Sequence, residues 1–318
     1  MLHTTSKSRY STRRTRHPQV RRFRASYAGL AVVLFASHAA ALLPPARTGN
    51  FYVSNFSGDN IVVYDPSGKF MRSFTALGLD GTRGIVFAPD RRLYVASQNT
   101  DAVLVFDADG QLLNTLAHAT LDGPTGMALS ASDELYVASF NNDQVVVFDL
   151  DGSMRRTFTG GGMNGPNCVA FDSQGNIYVS SALTSTIIKF DSSENFVASF
   201  TGGGLSSPMG IARNTADVLY VAGGGSNSIV IFDTDGNVLG TRAHPDLAAP
   251  QGVAFDERGH LFSSSFSRDL VVEFDAAGDY VQTIREGSLQ VPRSIAFDPT
   301  PVTTIDARTW TGIKVLFR

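Results

Sequence analysis

The sequence predicts an all-β propeller of four-stranded blades, six of them, on three observations. Landmark residues recur every 42 positions from residue 51 onward. Each period holds four short runs of strand-forming residues, and Asp–Gly turns separate those runs.

The period is read from Gly84, Gly126, Cys168, Gly210, Gly252 and Ser294, each 42 residues from the last. Two positions earlier stand Pro124, Pro166, Pro208, Pro250 and Pro292. Ten positions later come Tyr94, Tyr136, Tyr178, Tyr220 and Phe262. An aromatic–Asp pair follows as Phe106-Asp107, Phe148-Asp149, Phe190-Asp191, Phe232-Asp233 and Phe274-Asp275, with Tyr52 and Tyr64-Asp65 one period upstream.

Within a unit the first strand is typified by Gly252–Phe255 and the second by Leu93–Ser97. The third is a β-branched run such as Val145–Phe148, and the fourth a weaker alternation such as Met154–Thr159. Val, Ile, Tyr and Phe suit a pleated, buried surface. Asp107–Gly110, Asp149–Gly152 and Asp233–Gly236 place Asp at turn entry and Gly where φ is positive. One such sheet leaves both faces bare; arranged radially, each covers the next.

Blade counting turns on the two ends of the repeat. Residues 51–76 supply strands two to four of a unit without a first strand, and Ser294–Asp298 supply a first strand alone. Pairing these ends closes a ring of six blades and removes open edges. Residues 299–318 form a degenerate copy or tail. Gly312–Phe317 fits a third strand of a seventh blade, but Thr304 stands where the aromatic belongs.

Composition fits a large globular core: 43% of the 318 residues are apolar and 17% charged. Charge is unevenly placed. Residues 1–39 hold eight of the 26 basic residues and no acid, leaving 18 basic against 29 acidic residues beyond them, a net −11. That charge argues against nucleic acid or anionic membrane as partner. Cys168 is the sole cysteine, so no internal disulfide exists.

Residues 1–41 read as a signal peptide. A basic stretch over 7–24 precedes the apolar run Ala28–Ala36, and small residues follow at Ser37, Ala39, Ala40 and Ala41. Ser37 and His38 interrupt the run, which falls short of the ~20 residues of a membrane span. Arg21-Arg22-Phe23 is similar to a twin-arginine signal but lacks its flanking residues. The expectation is export to the periplasm or beyond, a propeller over residues 42–298, no membrane contact after leader cleavage, and a monomer.

The units resemble the NHL repeat, carried by Pro166–Asp172, Gly175–Val179 and Ile187–Asp191. The resemblance spans roughly 51–298 and implies the fold. For function it implies protein- or RNA-binding platforms, bacterial sensor domains, or, in related six-bladed forms, metal-dependent lyases and lactonases. The loops must decide among these.

In this topology the loops between strands two and three, and those joining blades, share one face around the axis. Asp59, Asp101, Asp143 and Asp269 occupy one equivalent loop position, with Ser185 and Asn227 in the other two blades. They form either a polar ring for a cation or sugar, or turn chemistry repeated with the repeat. Asn99 and Asn141 flank them. Phe140 and Phe266 share a loop position and suit a partner or carbohydrate surface if exposed; folding back onto the blade is the plainer alternative. The residue before each first strand also faces the mouth: Arg83, Thr125, Asn167, Met209, Gln251 and Arg293. Arg83 and Arg293 fall in neighbouring blades and together suit an anionic group. Arg213 stands where other copies hold Phe or Leu, so it points into the axial channel or snorkels outward from the strand end.

Metal chemistry has little support. Beyond the leader only His118, His244 and His260 remain, and the first two lie three blades apart. None of the residues before a first strand is acidic, as the lactonase resemblance would require. The sole Trp, Trp310, lies in the tail, whereas streptogramin-lyase relatives repeat one. No cofactor is expected, though calcium or another divalent ion at the channel mouth stays open. Cys168 reads as a small buried thiol. The reading is a binding module for a protein, peptide or glycan; the alternative is a lyase or lactonase with an atypical site.

Overall fold

The computed structural model describes residues 48–299, and among them six four-stranded antiparallel sheets form a closed ring. Blade 1 is closed by both ends of the repeat: Pro292–Phe297 is its inner strand, followed outward by Phe51–Asn55, Asn60–Tyr64 and Phe70–Phe74. The pairing sets Phe51 opposite Phe297, Tyr52 opposite Ala296 and Val53 opposite Ile295. Blades 2 to 6 begin at Thr82, Pro124, Pro166, Pro208 and Pro250. The leader and most of the proposed tail lie outside the described residues.

Backbone crowding fixes the inner ring. A Cβ on Gly84 would lie 2.3 Å from the Thr125 carbonyl, and one on Gly126 would lie 2.5 Å from that of Asn167. Backbones this close leave room for hydrogen only, which accounts for glycine at four of the six ring positions. Cys168 and Ser294 hold the two others, three blades apart. Ser294 Oγ accepts the Ile85 amide at 3.3 Å, and the Ser294 amide donates to Ser54 Oγ at 2.8 Å, so blade 1 is bonded on both sides of its inner strand.

Between blades the repeated aromatics interlock. Tyr52 meets Phe87 edge-on at 4.9 Å, Tyr136 meets Phe171 at 5.0 Å and Tyr220 meets Phe255 at 4.9 Å. Edge-to-face pairs of this kind add about 0.5–1.5 kcal/mol beyond their buried area. The third strands are largely buried, Val145–Phe148 entirely so, because a neighbouring blade covers each face. Outer strands are wetter and carry a bulge where each meets the third strand, which twists the exposed edge and blunts pairing with other chains.

Candidate functional site

Each second strand runs out to one rim of the ring, the mouth face, and enters a short turn there. The last turn residue, Asp59, Asp101, Asp143, Ser185, Asn227 or Asp269, is left-handed in every blade. Its side chain accepts the backbone N–H of the next blade's entry segment: Gly81, Gly123 and Gly165 to Asp59, Asp101 and Asp143 at 2.7, 2.7 and 2.8 Å. Ser207, Ala249 and Val291 donate likewise to Ser185, Asn227 and Asp269. The polar ring read from the sequence is therefore six inter-blade hooks. Its carboxylates face backbone amides, an arrangement that suits Asp, Asn and Ser equally and does not require a cation.

The other loop residues brace the same segments. Asn99 Nδ2 donates to Asp80 and Asn141 Nδ2 to Asp122, both at 2.7 Å. The serines ending the second strands do so as well, Ser97, Ser139, Ser181 and Ser265 each accepting one entry-segment amide at 2.8–2.9 Å. The repeated serine carried that signal in the sequence and was not read from it. Phe140 and Phe266 are half-buried rather than exposed.

Four of the predicted residues do converge, Asn167 among them. Arg83, Arg293 and Gln251 gather with Asn167 and Cys168 around a narrow axial channel of about 40 Å3. The Arg83 guanidinium carbon lies 5.0 Å from the Phe56 ring centroid and that of Arg293 lies 4.8 Å from the same ring. Arg293 is also 4.5 Å from the Phe266 centroid. Arg83 Nε donates to Gln98 Oε1 at 2.7 Å, and Arg293 Nη1 to Gln251 Oε1 at 2.6 Å.

Neither of these two arginines is ion-paired within the described residues, and Arg293 Nε is buried without any hydrogen-bond acceptor. Burial pulls Arg83 down to about 10; burial and the neighbouring Arg83 pull Arg293 down to about 9. Arginine keeps its proton in proteins, so the lowering expresses the burial of the two cations away from water. Aromatic faces and neutral amide oxygens hold them in place but leave their charge available to an anion. Phe56 and Gln98, which complete the arrangement, were not among the residues singled out from the sequence. Phe56 shares its register position with Phe140 and Phe266, a signal that was present but unused.

Cys168 lines the channel, and burial pushes its thiol up to about 11, which makes it a poor nucleophile. Arg213 does not belong to this face. It closes the inner strand of blade 5 at the opposite rim, the base face, where Nη1 pairs with Asp217 at 2.7 Å and Nε donates to the Phe171 carbonyl at 2.9 Å. The inner strand runs away from the mouth, so a residue at its far end cannot reach the channel entrance.

One group of metal-capable side chains occurs among the described residues: Asp256, His260 and Glu273, on the base face. Arg258 already occupies it, 2.6 Å from Asp256 and 2.9 Å from Glu273, with His260 Nδ1 2.8 Å from Glu273. A resident guanidinium supplies the positive charge that a metal would bring. The residues present do not fit a metal there.

Sequence and structure comparisons agree on a propeller. The model of the SMP-30/gluconolactonase/LRE-like region matches residues 75–183. No curated protein matches the chain. Catalytically inactive virginiamycin B lyase from Staphylococcus aureus with quinupristin is 13% identical with a TM-score of 0.61, covering 80% of this chain and 94% of that one. A chain of the nidogen/laminin complex is 16% identical at TM-score 0.68, covering 78% and 98%. A Bacteroides caccae protein of unknown function is 13% identical at TM-score 0.65, covering 79% and 99%. At such identities the likeness is one of fold.

Proposed function

We propose that this chain is an exported binding module whose axial mouth receives a carboxylate-bearing peptide or glycan. One observation carries this reading: Arg83 and Arg293 share the Phe56 ring, lie beside a channel and, among the described residues, have no acid to neutralise them. Two poorly solvated guanidinium groups form a preorganised anion receptor, since each can offer a planar fork of donors. The half-buried Phe56 and Phe266 rings add an apolar shoulder for the part of the ligand next to its acid. Export is supported by the leader over residues 1–41.

The test is calorimetric titration of the protein with an oligogalacturonate and with a short peptide ending in Glu. Saturable binding of either, lost in Arg83→Gln/Arg293→Gln, supports the reading. Absence of saturation by both at millimolar concentration overturns it.

A second reading is favoured by the family match over residues 75–183: a metal-dependent lyase or lactonase. Against it, the mouth carboxylates are each engaged by a backbone amide, and the Asp256–His260–Glu273 group already holds Arg258. Metal analysis of purified protein separates the two readings, because a stoichiometric, tightly held ion requires the second.

A further inference from the structure

We propose a second ligand site, on the base face between blades 5 and 6, that takes a small aromatic carboxylate. The cleft there has a volume of about 450 Å3, within the span typical of small-molecule sites, and Arg242, Tyr220, Phe255 and Phe274 help line it.

A single departure from the repeat explains the opening. The register position of Arg242 holds Phe74, Leu116, Phe158, Phe200 and Ile284 in the other blades. Phe74, Phe158 and Phe200 each lay a ring on the next blade's third strand, against Phe106, Phe190 and Phe232 at 5.3, 5.1 and 5.3 Å. Arg242 replaces that ring opposite Phe274 and lies against Gly278, where a Cβ would collide with the guanidinium. The wedge that joins other blade pairs is therefore missing, and a cation stands in the gap.

The cation is under-used. Arg242 makes one hydrogen bond, Nη1 to its neighbour's carbonyl on Thr241 at 3.3 Å, and has no acidic partner among the described residues. The acids along the rim are otherwise engaged. Asp256 holds Arg258 at 2.6 Å, Glu257 accepts the Thr48 amide at 2.7 Å, and Asp275 accepts the Ala277 and Asp279 amides at 2.9 Å. Arg213 faces the same cleft but is committed to Asp217.

A second departure coincides with the first. Tyr94 and Tyr178 donate their hydroxyls to Leu150 and Thr234 carbonyls in a following blade, at 3.2 and 3.3 Å. Tyr220, at the same register position, makes no such bond among the described residues and lines the cleft. A carboxylate on the Arg242 fork, a phenolic donor from Tyr220 and a flat apolar body against Phe255 and Phe274 use all of these groups at once.

The full chain is titrated with 1-naphthoate and, as an uncharged control, 1-naphthalenemethanol, following the naphthyl fluorescence. Saturable naphthoate binding at least tenfold tighter than the alcohol is expected. It should weaken at least tenfold in Arg242→Leu, which restores the apolar residue type of the other blades, and persist in Arg293→Met. Should Arg242→Leu fail to fold, Arg242→Gln is read by the same criteria. No saturable naphthoate binding, equal binding by the Arg242 variant, or loss in Arg293→Met would overturn the proposal. Because Arg293 belongs to the mouth alone, failure here leaves the axial reading to its own test.

Discussion

Asp298 accepts two hydrogen bonds from Arg91, from Nε at 3.0 Å and Nη2 at 2.6 Å, and so ties the last inner strand to the first turn of blade 2. The carboxylate is 2% exposed and the guanidinium 40%. Losing either partner therefore has unequal consequences. Arg91→Gln strands a buried carboxylate and should cost about 2–3 kcal/mol, whereas Asp298→Asn returns Arg91 to solvent and should cost about 1 kcal/mol. Urea denaturation of the two variants measures the difference; equal losses would contradict this account of the closure.

The mouth hooks predict which substitutions the loops tolerate. Asp143→Asn keeps an acceptor for the Gly165 amide in a left-handed position that Asn227 already fills, so stability should stay within about 0.5 kcal/mol. Asp143→Ala leaves that amide unpaired and strains the backbone, a loss of about 1–2 kcal/mol. Since the carboxylates serve amides, millimolar calcium should leave the melting temperature unchanged. A calcium-dependent rise that disappears in Asp143→Asn would point to an ion instead.

Arg293→Met should be at least as stable as the wild type, by up to about 1–2 kcal/mol, because it removes a buried charge lying near Arg83. The same variant should lose binding of the acidic probes. Stability and binding thus move in opposite directions, and guanidinium denaturation beside calorimetry reads both. A markedly destabilised Arg293→Met would mean that the cation is structural.

On the base face, Arg156 clasps blades 3 and 4: it lies 2.7 Å from Glu134 and from Glu194, and the Tyr136 hydroxyl donates to Glu194 at 2.9 Å. Hydrogen bonding from Arg156 lowers the Glu134 carboxyl below its ordinary value. The folded value being depressed, this stabilisation is complete above the unfolded value near 4.5 and fades as pH falls through the folded one. Arg156→Gln should cost about 1 kcal/mol at neutral pH for so partly exposed a group. The gap to wild type should shrink below pH 4, and a pH series of urea midpoints checks it.

The ring was legible because spacing alone encodes it. Gly84 to Ser294 set the period, and the unmatched ends at 51–76 and 294–298 required closure in one shared blade, as the Phe51–Phe297 pairing shows. The site was half legible. Arg83 and Arg293 were placed together by the same register, but their common platform, Phe56, depends on how a loop folds over the axis. The acidic ring showed as residue type only; that Asp101 takes an amide from Gly123 is a matter of backbone direction, which spacing does not carry. Arg213 and Arg242 both break an apolar column of the repeat. The Arg213 column holds Phe or Leu in every other copy, whereas that of Arg242 mixes Phe, Leu and Ile in the weakly alternating fourth strand, and in space both face the cleft between blades 5 and 6.

The closure of blade 1 also determines how the protein is presented to its surroundings. The Asn50 carbonyl accepts the Asp298 amide at 2.9 Å, so the described chain enters and leaves side by side on the base rim. A fusion partner, purification handle or surface tether joined directly at Asn50 or Asp298 would emerge there and leave the arginine-lined mouth pointing away. Immobilised at these two positions, the propeller would display its mouth face outward. A circular permutant opened at the mouth linkers, between residues 159 and 164 for example, would reverse that orientation.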